Sequence, residues 1–402
     1  MARLLLTYVL LITCFILGGC VDDRWQRGEF DAYVPIYDND PALKSVSYLP
    51  PRKTQHGGKL YTYGTYLLQE ETDSGLHIIS YQDPAHPVKT GFLRIPGFHK
   101  AAIENGYLYA DNFDDLVVIP LNDLPALTRV GRVPRTWTSR DFPPYRHVYF
   151  ECVDPSKGVV VGWRKTKVNN PKCRVMSSYY FDYGEERPRF SAGIVVRNNY
   201  LYLADNSTLV SYAITQPLAP VLKQRLETSW IIDSIYALNG QLAVSDVKYH
   251  GTNLYNINDA GDIIIHTDLD LSSCQLLLAK GQYLYTVPNP ARNSCYPAPL
   301  HGMTVYEMDA NSAATERFNL PFDTTYTMAL TGNHLYAGTL KGISILDVSA
   351  PPAVTRFADK AADAYTDIMI TGKYLYCRSK TAIDCYDISV PAAIQFISKL
   401  AY

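Results

Sequence analysis

Seven segments of this 402-residue chain restate one pattern, and that recurrence restricts the possible folds more than any bulk property does. A leucine that opens a short alternating strand, followed by tyrosine in most copies, recurs at Leu67, Leu108, Leu201, Leu242, Leu284, Leu335 and Leu375, spaced 41, 93, 41, 42, 51 and 40 residues apart. Each copy holds an apolar stretch before the leucine, then the leucine strand, a second strand such as GISILDV and a third such as AVTRFA. Gly, Asn, Asp and Pro turns separate them. Four strands in about 40 residues make one small sheet that cannot bury both faces alone and must stack on its neighbours. The Gly or Asn just ahead of each leucine supplies the positive φ of a tight hairpin. The expected fold is all-β: a β-propeller of seven blades, each a four-stranded antiparallel sheet, with eight blades as the alternative.

The two irregular spacings locate elaborations. The 51-residue step carries an insertion, PNPARNSCYPAPLH, between two strands of one blade. The 93-residue step holds residues 134–190, an elaboration or a degenerate blade, with Val160 standing 52 after Leu108 and 41 before Leu201.

The amino terminus has one basic residue, Arg3, an apolar run from Leu4 to Leu17 and then Gly18-Gly19-Cys20. That run is too short for a membrane span and has the layout of a secretory signal. Its ending resembles a bacterial lipobox, so residues 1–19 are expected to be removed and Cys20 to carry lipid; an ordinary signal peptide is the alternative. Residues 20–41 read as a polar tether, and 42–402 as the propeller. Val21 after Cys20 does not resemble the inner-membrane retention aspartate, which points to the outer membrane, periplasmic or surface-facing. Without Arg3 the 37 basic side chains fall to 36 against 39 acidic ones, a balance that argues against nucleic acid as partner.

The elements GLHIISYQDPAHP, DLVVIPLNDLPAL, GISILDVSAPPAV and AIDCYDISVPAAI resemble the LVIVD repeat family, β-propeller proteins often found as bacterial lipoproteins. GGKLYTYGTYLL, YFECVDPSKGVVVGW and NPKC look like Bacteroidetes-type lipoproteins of this family, and the resemblance runs from about residue 42 to the end. It implies the fold and carries no catalytic residues across.

Besides Cys14 and Cys20 there are six cysteines. Cys152 and Cys173 are 21 apart, Cys274 and Cys295 likewise, and Cys377 and Cys385 sit on adjacent strands across the turn RSKTA. Three local disulfides are expected in an exported protein. Zinc is the rival reading, but there is no CxxC pair and the pairs belong to different blades, so no metal is expected.

No nucleophile elbow, phosphate loop, dinucleotide turn or HExxH motif is present, and no cofactor is expected. DNFDD at 111–115 lacks the Gly and distal Glu of a calcium loop and aligns with a blade turn. The tyrosines of the repeated Leu-Tyr pairs read as packing between blades. A second aromatic set, Phe98, Phe190, Trp230, Tyr326 and Tyr365, precedes the anchor leucines by 9 to 12 residues. It lies where the chain enters an inner strand. Phe98, Trp230, Tyr326 and Tyr365, with His99, Arg146, His147 and Arg292, are therefore the candidate ligand-binding residues, although packing explains the aromatics as well. The expected function is a membrane-anchored binding or scaffolding module for an envelope protein, a peptide or a glycan. The alternative is a propeller enzyme of lyase, hydrolase or dehydrogenase type, which would need His99, Asp141, Arg146 and His147 to converge.

Overall fold

The computed structural model describes residues 28–145, 148–174 and 191–402, apart from 229, 239, 247–250, 270, 272–274, 289–301 and 310–312. Among the described residues there are eight β-sheets and, besides strands, only short 3-10 turns. The chain divides into two compact units.

The larger unit contains seven of the sheets, in sequence order. Sheet 1 spans 57–94, sheet 2 101–133, sheet 3 191–227, sheet 4 232–269, sheet 5 275–320, sheet 6 325–361 and sheet 7 367–401. Each is an antiparallel meander of four strands, and sheet 1 gains a fifth, Ser47–Leu49, on its outer edge. The seven anchor leucines lie on the second strands, and each is at most 1% exposed. They are buried because each sheet lends one apolar face to the sheet before it and one to the sheet after. Leu108 packs with sheet 1 residues Leu68 and Leu76, whereas Tyr109, the next residue, points to the other face and packs with Leu201 and Leu203 of sheet 3. The same alternation joins sheets 3 and 4, 4 and 5, 5 and 6, and 6 and 7. Sheet 7 in turn shares a core with sheet 1 through Tyr376, Ile383 and Cys385 against Leu60, Leu67 and Ile79. The Leu-Tyr dipeptide is thus read twice, once by each neighbour, which is why it recurs. The hairpins ahead of the anchors need a left-handed residue, supplied by Gly64 at φ 57° and, in sheet 3, by Asn199 at φ 63°.

The smaller unit holds the eighth sheet, of strands Glu29–Asp38, Tyr149–Phe150, Val159–Asn169 and Cys173–Arg174. Ten residues of the expected tether, Glu29–Asp38, are therefore strand, paired antiparallel to Val159–Asn169 from Glu29↔Asn169 to Asp38↔Val159. The Cys152–Cys173 disulfide falls in this unit as the spacing implies, with a sequence separation of 21. A loop of that length constrains the unfolded chain by about 3 kcal/mol.

Cys377 and Cys385 are not bonded to each other: both are free and buried. The register explains it. Tyr376 pairs with Cys385, and Cys377 with Asp384, so the two cysteines are one position out of step and project from opposite faces of sheet 7. Cys377 joins the core shared with sheet 6 and Cys385 the core shared with sheet 1. Burial raises both thiol pKa values, that of Cys385 to about 12. Iodoacetamide is expected to alkylate neither in the native protein and both after unfolding. A 377–385 cross-linked peptide, or native-state labelling, would contradict this register. Cys274 and Cys295 lie outside the described residues.

Candidate functional site

The first strands of neighbouring sheets lie against one another, as 57–63 does on 101–104 and on 367–371, and 191–197 on 232–238, so they form the inner side of the larger unit. Where the second strands end beside them, the apolar alternation gives way to buried charge. Three residues beyond the anchor leucines stand Glu70, Asp111 and Arg378; four beyond stand Glu71 and Asp205; Asp367 opens the first strand of sheet 7. Glu70, Glu71, Asp111 and Asp205 are all buried. An ion in such a place must be hydrogen-bonded and paired, or it neutralises.

Backbone amides do most of that work. Asp367 accepts from Leu60 N at 2.6 Å, fastening sheet 7 to sheet 1, and Arg378 donates back to Gly57 O at 2.8 Å. Asp111 takes the amides of His99 and Lys100 at 2.8 and 2.9 Å. Asp205 of sheet 3 takes Thr138 N at 2.6 Å and Ser139 N at 3.1 Å from the chain leaving sheet 2. Glu71 takes Gln55 N and His56 N at 3.0 and 2.6 Å and lies 2.8 Å from His77 Nε2. Burial raises the Glu71 pKa, but these hydrogen bonds outweigh it and hold the carboxylate charged; burial keeps His77 neutral, with Nε2–H donated to Glu71. Glu70 has weaker support, one amide from Lys59 at 3.2 Å, and burial raises it to about 7. Burial likewise raises Asp367.

Lys100 is the buried cation of this girdle, 6% exposed. Its ammonium lies 3.7 Å from the centre of the Trp137 ring and 4.0 Å from Asp205 Oδ1. Burial lowers its pKa against the pull of Asp205 and Asp111.

His99 is where the girdle meets solvent. Its Nδ1 contacts Gly97 O at 2.9 Å and its Nε2 contacts Asp73 Oδ1 at 3.0 Å, so both ring nitrogens have acceptors and the ring suits an imidazolium. Burial alone would lower its pKa, but Asp111 and Asp73 outweigh it and raise it to about 9. Arg140 also approaches Asp73, at 3.5 Å, and lies over the Phe113 ring. A raised histidine pKa stabilises the fold below the unfolded value near 6.5, and that contribution fades as pH rises through about 9. Titration of 13C-labelled histidine by NMR is expected to place the His99 midpoint near 9, and Asp73→Asn to lower it by on the order of one unit. A midpoint below 7 would mean that the two carboxylates do not hold the charge.

The sequence candidates fare unevenly. Phe98 and Tyr365 are 0% exposed and cannot meet a ligand. Phe98 sits in the core between sheets 1 and 2, while Tyr365 packs between sheets 6 and 7 and donates to Asp384 at 2.5 Å. Both are packing residues, because the segment entering a first strand turns its aromatic inward. Trp230 is half-buried against the core of sheets 3 and 4, and Tyr326 is half-buried on the first strand of sheet 6. His99 is the candidate that reaches a charged, partly open position. Arg146, His147, Phe190 and Arg292 lie outside the described residues, so the convergence that an enzyme would need is not on view. Glu70, Asp111, Asp205, Asp367 and Lys100 fall outside the sequence candidates; the signal for the first three is a charged residue three or four places after an anchor leucine, where packing alone would take an apolar one, while Asp367 and Lys100 each stand eight places before an anchor leucine.

The LVIVD repeat matches residues 188–228 and 325–355, which take in all of sheet 3 and the first three strands of sheet 6. No curated protein matches the chain. Among solved structures, a protein from Lactobacillus plantarum is similar at TM-score 0.51 and 14% identity, over 88% of this chain and 94% of that one. The computationally designed Ika8 protein is similar at TM-score 0.49 and 8% identity, over 88% and 90%. A putative 6-phosphogluconolactonase from Bacteroides fragilis is similar at TM-score 0.48 and 11% identity, over 90% and 97%. The first of these, at 14% identity, speaks for fold alone. The chain thus carries LVIVD repeats at two of its four-stranded antiparallel sheets, in an all-β arrangement of the propeller type.

Proposed function

We propose that this protein is a seven-bladed, lipid-anchored propeller outside the cytoplasm that binds or scaffolds a protein, peptide or glycan of the cell envelope. The blade count rests on seven sheets in one unit, each sharing a core with the next and the last with the first. The eighth sheet and its disulfide are then the elaboration within 134–190, joined by the strand Glu29–Asp38.

One observation carries the binding reading: the buried charges of the inner side are spent on backbone amides and on each other, as Asp205 and Asp367 show. Charge used in that way makes a rigid carrier. Recognition then belongs to the loops that the carrier holds side by side. Mild crosslinking of the tagged lipoprotein in its own envelope, followed by affinity purification, should return a reproducible protein or glycan. Turnover of a small molecule by the purified body, with no reproducible partner, would defeat the reading.

The anchor is tested separately. The wild-type protein is expected in the membrane fraction and labelled by an alkynyl fatty acid, and Cys20→Ser in the soluble fraction and unlabelled, because acyl chains contribute about 0.8 kcal/mol per buried methylene. An unlabelled wild-type protein would remove the lipid from the proposal and leave the propeller untouched.

A further inference from the structure

A cleft of about 170 Å³ opens between sheets 1 and 2, bounded by Leu68 and Ile78 on the buried side and by Tyr48, Tyr63 and Tyr66 toward the surface. Leu121, Leu124 and Pro125 of the segment after the third strand of sheet 2 complete it. None of its lining side chains is charged. Thr90 spends its hydroxyl on Ile78 O at 3.2 Å, which leaves tyrosine hydroxyls as the polar side-chain groups of the lining.

The cleft is an addition to the repeat. Tyr48 stands on the strand Ser47–Leu49, which pairs with Phe92–Arg94 and, among the described residues, has no counterpart in the other six sheets of this unit. Its ring occupies the space that a side chain at Gly91 would take: a Cβ there would lie 2.0 Å from the Tyr48 hydroxyl. At the register that Gly91 holds in sheet 1, the fourth strand of sheet 2 places Gly131, and those of sheets 3 to 7 place Gln224, Thr267, Phe318, Ala358 and Ser398. Glycine stands at that register in sheets 1 and 2: a Cβ at Gly131 would lie 2.3 Å from the Leu218 carbonyl oxygen, and Gly91 makes room for the Tyr48 wall. A strand interior loses stability to glycine, so each of the two answers a close approach of its own.

We propose that this cleft binds a small neutral aromatic molecule, of phenol to indole size. Its volume compares with an apolar cavity of about 150 Å³ that holds benzene. Flat tyrosine walls suit a planar ring, stacked or edge-on, and their hydroxyls can pair with a ligand O–H or N–H. An ionised ligand would lose hydration to a lining that offers no counter-charge. This site does not depend on the envelope partner proposed above.

Calorimetric titration of the whole mature protein with indole and phenol tests it. Saturable one-to-one binding is expected with a dissociation constant on the order of 0.1–1 mM, the range for so few atoms. Benzoate should bind at least tenfold more weakly. Tyr48→Ala and Gly91→Ala, which removes no lining group but pushes the Tyr48 ring aside, should each weaken indole about tenfold; Leu124→Trp, filling the cleft, should abolish binding. If Gly91→Ala does not fold, Tyr48→Ala carries that arm. No saturable signal to roughly 5 mM, equal affinity for benzoate, or unchanged binding by Leu124→Trp would overturn the assignment.

Discussion

Replacing Asp205 by alanine is expected to cost about 3–5 kcal/mol of folding stability, the largest single loss from any girdle residue. Asp205 is 3% exposed and serves two sets of partners at once. Its Oδ2 accepts the amides of Thr138 and Ser139 and the Thr138 hydroxyl at 3.1 Å, so truncation strands two backbone donors. Its Oδ1 faces the ammonium of Lys100, which is otherwise covered by the Trp137 ring. Without the carboxylate, a buried cation keeps aromatic contact and loses its nearest counter-charge. Lys100→Met behaves differently, because it removes the charge that needed compensation and leaves Asp205 with its amide donors; it should be near neutral. Asp205→Ala in the Lys100→Met background should then cost less than in the wild type. Urea midpoints at unchanged m read all three. If Asp205→Ala costs under about 1 kcal/mol, or if Lys100→Met is the more damaging change, the pair does not hold sheet 3 to the segment leaving sheet 2.

The repeat made the architecture legible because burial at each anchor is a local requirement restated seven times. Leu108 and Tyr109 show what was readable: consecutive residues that both must be apolar, one for each neighbouring sheet. Parity was not readable in the same way. Cys377 and Cys385 are near in sequence and on adjacent strands, yet their faces depend on how many residues the RSKTA turn consumes, and a one-residue difference reverses the outcome. Phe98 and Tyr365 failed for a related reason, since distance from an anchor gives position along the strand and says nothing of inside or outside. The strand Glu29–Asp38 was hidden more deeply. Its polar alternation reads as a spacer until it is set against Val159–Asn169, more than a hundred residues later, and no local pattern carries that pairing. The charged girdle was visible as letters but not as a site, because its members stand on different sheets and meet only through the stacking.

Glu70 supplies the second large effect, and its sign is opposite to that of Asp205: Glu70→Gln is expected to stabilise the protein at neutral and alkaline pH. The Glu70 carboxyl is buried, receives one long amide bond from Lys59, and feels the charge of Asp111. Its pKa rises from 4.5 to about 7. A folded-state value above the unfolded one means that the native protein binds a proton that the unfolded chain has released between those limits. Stability from this group is therefore greatest below pH 4.5, declines as pH climbs to about 7, and is flat beyond. At about 1.4 kcal/mol per unit, the whole decline has an upper bound of about 3.5 kcal/mol. A glutamine amide keeps an acceptor for Lys59 N and a neutral group facing Thr72, whose hydroxyl stands 3.4 Å from Glu70 Oε1, so it mimics the protonated acid. The variant should match the wild type near pH 4 and exceed it increasingly to pH 8. Other groups titrate in that window, His99 among them, but they are common to both proteins and cancel in the difference to the extent that Glu70 does not shift them. Chemical unfolding at several pH values measures that difference directly. A gap that stays constant with pH would show an ordinary carboxyl at this position, and a variant less stable than the wild type at pH 8 would show that the girdle needs the charge.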